Sequence, residues 1–200
     1  MAANHSRFSD GGSSDDTRWI VFVTGATACG KTVTAQYLAN KLHAKYIEGD
    51  DFHPKANIDK MSRGEGLTDA DRAGWLEAIS EHAVVHLRGP GTHHLIVTCS
   101  ALKRSYRALL REGARRAGDL RLLFLFLDVP EAELVRRATA RTNHYAKGNL
   151  VHSQVAILER PNPQDEPDVV TIDGNRPMAA VEQSALEAVH RAWDDEPQEG

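Results

Sequence analysis

Cysteine is nearly absent from the 200-residue chain. It has two, Cys29 and Cys99, too few for a disulfide framework, and the expectation is a reducing compartment, the cytoplasm. Long apolar runs are also missing. No stretch approaches the roughly 18 residues needed to span a bilayer, and residues 1–18 carry no apolar signal-like core. There is no excess of basic residues: Lys plus Arg total 24 against 28 for Asp plus Glu, a formal net charge of −4. That balance argues against general binding to nucleic acid or to a membrane surface. No internal repeat is visible. What remains is ordinary for a globular protein, with 41% hydrophobic and 26% charged residues, which excludes a wholly disordered chain and a fibrous repeat. The length suits one domain with a real core. Residues 1–18 read as a disordered tail, 194–200 as a short acidic tail, and 19–193 as the working domain.

Short apolar runs alternate with helical patterns. Trp19–Thr24 (WIVFVT), Ala44–Glu48, His94–Thr98 (HLIVT), Leu120–Leu127 (LRLLFLFL) and Asp168–Ile172 (DVVTI) read as strands. The stretches between them read as helices: Gly30–His43, Pro54–Met61, Thr68–Leu87 with Thr68 as N-cap, Ala101–Arg116, one running through Arg141, and Leu150–Glu159. Met178–Trp193 closes the chain as a last helix. Strands separated by helices predict an α/β fold, a parallel sheet covered on both faces. In such sheets ligands bind beyond the carboxyl ends of the strands. The loops after Thr24, Glu48, Thr98 and Leu127 are therefore the expected site.

The first of those loops carries the strongest motif. Gly25-Ala26-Thr27-Ala28-Cys29-Gly30-Lys31-Thr32 fits G-x-x-x-x-G-K-[ST], directly after an apolar strand and at the start of a helix. The glycines let successive backbone N–H groups turn inward around an anion, and the helix N-terminus adds positive potential. Lys31 reaches the β- and γ-phosphates, and the Thr32 hydroxyl suits Mg²⁺. The pattern specifies a nucleoside triphosphate without specifying an acceptor. Cys29 reads chiefly as a small side chain that fits the loop.

The second strand leads into Glu48-Gly49-Asp50-Asp51-Phe52-His53-Pro54, and carboxylates here face the phosphate loop. An aspartate in this place can take a proton from an attacking hydroxyl or hold Mg²⁺ through water. Asn57, Lys60 and Met61 follow, then Leu67, Asp69, Asp71, Arg72, Trp75 and Leu76. After the third strand comes Cys99-Ser100-Ala101-Leu102-Lys103, with Tyr106 and Arg107. In order, these match G-D-x-x-H-P, N-x-x-K-M, G-x-x-L-x-D-x-D-R-x-x-W-L and C-S-A-L-K-x-x-Y-R. The set closely resembles the gluconokinases, small P-loop kinases of the nucleoside-monophosphate-kinase-like group, over about residues 21–171. Ala28 departs from a more usual Gly, and Cys29 from a Ser or Thr.

The resemblance implies a three-layer P-loop kinase with a five-stranded parallel sheet in the order 2-3-1-4-5, a helical substrate-binding region and a lid at about 137–150. It implies transfer of the ATP γ-phosphate to the 6-hydroxyl of D-gluconate, with Mg²⁺. Dimerisation is implied by the resemblance alone; no surface in the sequence argues for it. Asp50 matches the family's base position, with Asp51 as rival. Gluconate brings a carboxylate and a chain of hydroxyls, so His53, Lys60, Arg72, Lys103 and Arg107 are expected around it. Arg137 and Arg141 lie four apart on one helix face and are expected at the ATP phosphates. Trp75 reads as core, and Asp128 as a helix cap with Pro130. Another acceptor, such as shikimate, is disfavoured by the C-S-A-L-K and H-P motifs. A GTPase-type switch is disfavoured because Asn40-Lys41-Leu42-His43 lacks the aspartate of N-K-x-D. Intact Lys31, Thr32 and Asp50 speak against an inactive binding protein.

Overall fold

β1 (Arg18–Thr24) is buried at every position from Trp19 onward. Successive strand residues point to opposite faces, so both faces of this strand are covered. The structure, a computed structural model, describes residues 17–89, 91, 93–118, 120–140 and 146–194. The chain continues through α1 (Lys31–Lys41), β2 (Lys45–Glu48), a 3₁₀ turn (Gly49–Phe52), α2 (Lys55–Ser62) and α3 (Asp69–Arg88). Then come β3 (His94–Thr98), α4 (Arg104–Ala117), β4 (Leu120–Asp128), α5 (Glu131–Ala140), α6 (Ala146–Val155), β5 (Val169–Asp173) and α7 (Met178–Asp194).

The sheet is parallel in the order β2-β3-β1-β4-β5, as expected. β1 lies at its centre, with Phe22 and Phe124 in register and stacked at 5.2 Å. Helices α1 and α7 pack together over the sheet, and α3 and α4 form a second pair. The stretches Trp19–Val23 of β1 and Leu123–Leu127 of β4 are continuous apolar runs because neither face meets water there. No helix among the described residues is long and apolar enough to cross a membrane. The expected tails fall largely on residues 1–16 and 195–200, outside the described residues, and Arg18 already belongs to β1.

Two helices depart from the sequence expectation by three residues or more. Helix α4 begins at Arg104 and not at Ala101, because Ala101 has φ 40 and Lys103 is extended as N-cap. Helix α6 runs from Ala146 to Val155 rather than from Leu150 to Glu159. Past Val155 the backbone leaves the helix, and the Glu159 N–H bonds across to the Leu102 carbonyl at 2.9 Å. Thr68 caps α3 as expected, with a reciprocal capping box to Asp71.

The close approach of α3 and α4 depends on a small residue. A Cβ at Gly113 would collide with the Ser80 hydroxyl and lie 2.9 Å from the Ser80 Cβ. Gly113→Ala is expected to cost about 1–3 kcal/mol by overpacking. Ser80→Gly should recover much of that loss in the double variant, as read by urea unfolding of the four-member cycle.

Candidate active site

The phosphate loop joins buried β1 to α1 and takes its shape from backbone sterics. Gly25 has φ 132, and a Cβ there would lie 2.8 Å from the Leu127 carbonyl oxygen. Gly30 has φ 108 and is the N-cap of α1. Ala28 adopts φ 65, a left-handed conformation that costs an L-residue about 1–2 kcal/mol. The Lys31 ammonium donates to the Gly25 and Ala26 carbonyls, each at 3.1 Å. Cys29 is buried in the loop, and its Sγ packs beside Gly25.

The facing wall is pinned from three directions. The Gly49 N–H donates to Thr98 Oγ1 at 3.0 Å, the Trp75 indole N–H donates to the Gly49 carbonyl at 2.7 Å, and a Cβ at Gly49 would run into the Thr98 carbonyl oxygen. The 3₁₀ turn is thereby fixed against β3. It presents Asp50 to a cleft that also exposes Thr27, Lys31, Arg72, Ser100 and Gln154. Asp51 does not line that cleft.

Glu48, one residue earlier, is a hub to which none of the motifs assigns a role. Its carboxylate accepts from Thr32 Oγ1 at 2.9 Å, from Tyr46 Oη at 2.5 Å and from the Thr98 hydroxyl. Burial pushes Glu48 upward, but the hydrogen bonds from Thr98, Tyr46 and Thr32 and the nearby Lys31 outweigh it, so the group stays ionised. Burial, helped by the bond to Glu48, pushes the Tyr46 phenol well above its ordinary value and keeps it a donor. The signal available from sequence was position: Glu48 ends a strand whose neighbour in the sheet ends at Thr98.

His53 stacks on Trp75 with ring centroids 4.1 Å apart. The Asn57 amide donates to the Asp71 carbonyl at 2.7 Å, which identifies Nδ2, and that nitrogen lies 3.4 Å from His53 Nδ1. Nδ1 is then the acceptor, and the proton sits on Nε2, which faces Asp50 at 3.8 Å. Burial holds His53 below its ordinary 6.5; Asp50 opposes that shift and Arg72 adds to it. The unfolded chain therefore binds this proton more readily than the folded one, so stability falls as pH drops below about 6.5. His53→Gln is expected to flatten that part of the slope, as measured by urea unfolding at about pH 5.5 and about pH 7.5.

Arg72 is buried, donates from Nη1 to the Leu67 carbonyl, and lies 5.7 Å from the Tyr106 ring centroid. Among the described residues no carboxylate forms an ion pair with it, neither Asp69 nor Glu65. A buried, unpaired guanidinium in a cleft is costly unless the cleft receives an anion.

Other expected site residues stand elsewhere. Lys60 pairs with Asp71 at 2.7 Å and, more than any other contact, holds that carboxyl down to about 2. Lys103 pairs with Asp69 at 2.8 Å, and Asp69 also accepts from Tyr106 Oη. Arg107, expected at the substrate, is 1% exposed and bound to Glu166 at 2.6 and 2.8 Å. Nη1 donates to the Ala101 and Leu102 carbonyls and Nη2 also to the Glu159 carbonyl. These contacts account for all five of its N–H donors, and none is left for a ligand. Arg137 bonds Glu133 at 2.7 Å and reaches the Gly174 carbonyl at 3.0 Å, beside the start of α7. Arg141 and the middle of the expected lid, 141–145, lie outside the described residues. Asp128 pairs with Arg160 at 3.2 Å rather than capping α5. Burial pushes the Cys99 thiol up to about 12, so it is inert as a nucleophile.

Comparison with known proteins places this geometry. The AAA domain family matches residues 20–160. A probable gluconokinase from Schizosaccharomyces pombe is 41% identical over 90% of this chain and 93% of its own length. The chain belongs to the gluconokinase family. The thermoresistant gluconokinase of Escherichia coli is 35% identical over 86% of this chain and 94% of its own. The crystal structure of a gluconokinase from Sinorhizobium meliloti superposes with a TM-score of 0.76 at 36% identity, covering 90% of this chain and 95% of that one. The segment Gly49-Asp50-Asp51-Phe52-His53-Pro54, which carries the resemblance noted from the sequence, is the pinned turn holding Asp50 and His53.

Proposed function

We infer that this protein transfers the γ-phosphoryl group of ATP to the 6-hydroxyl of D-gluconate, giving 6-phospho-D-gluconate and ADP. One observation supports the residue roles above all. Asp50, Arg72 and Lys31 converge on a single cleft, a carboxylate and two cations from three separate elements. ATP is read as lying on the loop 25–32 with its γ-phosphate beside Lys31. Arg72 suits an anionic group of the acceptor, and His53 Nε2–H suits a hydroxyl or the Asp50 carboxylate. Asp50 takes the proton of the 6-hydroxyl as that oxygen bonds to phosphorus and the bond to the β-phosphate oxygen breaks. Lys31 neutralises charge on the leaving side. Arg137, on the carbonyl of Gly174, is read as standing at the nucleotide end. Lys60 and Lys103 act by bracing the acid-lined start of α3, and Arg107 by holding α4.

The residues fit Mg²⁺. Thr32 and Glu48 offer hard oxygen donors at the mouth of the phosphate loop, and Glu48 is kept ionised there. Among the described residues no cluster of three or more His, Cys, Asp or Glu side chains forms a metal cage. That suits a cation held by one or two protein oxygens and the substrate phosphates. When bound, the ion would supply charge neutralisation on the β- and γ-phosphates. Both cysteines are free and buried, in keeping with a reducing cytoplasm.

A coupled ADP-release assay over sugar acids, shikimate and nucleoside monophosphates tests the reading. Gluconate is expected to stimulate release and shikimate to leave it at background, with Lys31→Ala silent throughout. Stimulation by shikimate and not by gluconate would overturn it.

A further inference from the structure

Gln154 is a polar cleft residue that no sequence motif supplied. It lies in α6, 127 positions from Thr27, yet its side-chain Oε1 accepts from the Thr27 backbone N–H at 2.7 Å. It is 9% exposed and lines the same cleft as Asp50 and Arg72. Thr27 occupies the third position of the phosphate loop. It is flanked by Ala26, whose carbonyl holds Lys31, and by Ala28 with its φ of 65. A backbone N–H can only donate, so the atom facing Thr27 is the oxygen, and the planar amide turns Nε2 to the opposite side. Among the described residues no group accepts from Nε2. Nε2 is not among the buried polar atoms that lack a partner, so it is open to the cleft, where an acceptor carried by a ligand can reach it.

We propose that Gln154 determines acceptor specificity, with Oε1 kept on the phosphate loop and Nε2 donating to a hydroxyl oxygen of the polyhydroxylated acid. The proposal rests on the cleft being the sugar-acid site. One rigid amide then ties the loop that holds the donor phosphate to the molecule that attacks it. The recognition is also discriminating. A site built to donate to a substrate hydroxyl penalises an analogue lacking it, because the donor, cut off from water once the ligand fills the cleft, is left unpaired. Phe, Leu or Val in place of Gln154 would give neither tie.

The test is steady-state kinetics of wild type, Gln154→Ala and Gln154→Glu with D-gluconate and its monodeoxy analogues. Gln154→Glu keeps an oxygen for Thr27 and removes the donor, so it separates recognition from loss of the α6 contact. In both variants the gluconate KM is expected to rise about 10-fold or more, with the ATP KM of Gln154→Ala within about twofold of wild type. One monodeoxy analogue should lose kcat/KM against gluconate with wild type and show no further loss with either variant. Equal losses for every analogue in wild type and variants, or a fall in kcat with an unchanged gluconate KM, would place Nε2 on the transferred phosphoryl group or nowhere, and would overturn the proposal. Wild-type turnover of gluconate is read in the same plates. Its absence sinks the functional reading, and its presence with unaltered variants sinks only the role of Gln154.

Discussion

Asp50→Asn is expected to lower kcat by about 10²–10⁴-fold while the ATP KM stays within about twofold, the effect of removing a general base. The fold gives the reason for both halves. Asp50 sits in a turn held by Gly49 to Thr98 and by Trp75 to Gly49, so the amide would occupy the place of the carboxylate. The phosphate loop belongs to a different crossover and keeps Lys31 on its own carbonyls. Asparagine cannot take the 6-hydroxyl proton, and the loss falls on the chemical step. Asp51→Asn should turn over at near the wild-type rate, because Asp51 lies outside the cleft. Single-turnover kinetics of the two variants decide the matter, and the reverse pattern would move the base to Asp51.

Arg107→Ala is expected to destabilise the protein by about 3–5 kcal/mol, because Glu166, 3% exposed, would keep a buried charge with part of its pairing gone. Against a total stability of about 5–15 kcal/mol, that is a large share. Arg111 remains bonded to Glu166 at 2.9 Å and to Asp168 at 2.7 Å, which keeps the loss from being total. Arg107→Lys should recover little, since one ammonium cannot replace a fork that reaches Glu166 and three carbonyls. Urea unfolding reads the stability. Where the variant is folded, its gluconate KM should lie within about twofold of wild type. A raised KM without lost stability would return Arg107 to the substrate.

Features carried by local chemistry were legible in the sequence. The continuous apolar runs announce buried parallel strands, Thr68 and Asp71 announce the start of α3, and Gly25, Gly30 and Lys31 announce the phosphate loop. The sheet order came from the family resemblance and is the order observed. What escaped depends on partners distant in the chain. Arg107 lies in a diagnostic motif, and its type fits a sugar acid as well as it fits Glu166. Only the path of residues 156–168 back along α4 decides between them. Lys60 and Lys103 likewise read as free cations until Asp71 and Asp69 are placed beside them. Gly113 carries no signal without Ser80, and Gln154 none without Thr27. Glu48 was visible as a carboxylate at a strand end, but its three donors come from β2, β3 and α1.

The burial of Arg107 has a consequence for recognising relatives in genomes. The C-S-A-L-K-x-x-Y-R pattern mixes groups near the cleft with an arginine that secures the scaffold, and Trp75 in the neighbouring pattern is also packed into the protein's interior. A duplicated copy that had lost Asp50 or Lys31 would still gain stability from Arg107 and Trp75, and would keep most of the pattern while drifting to another role. Descent is therefore written across all these patterns, whereas on the proposed roles competence as a kinase rests on a few positions outside C-S-A-L-K-x-x-Y-R. On the roles proposed above, sorting active copies from retired ones calls for inspecting Lys31, Asp50 and Arg72 individually.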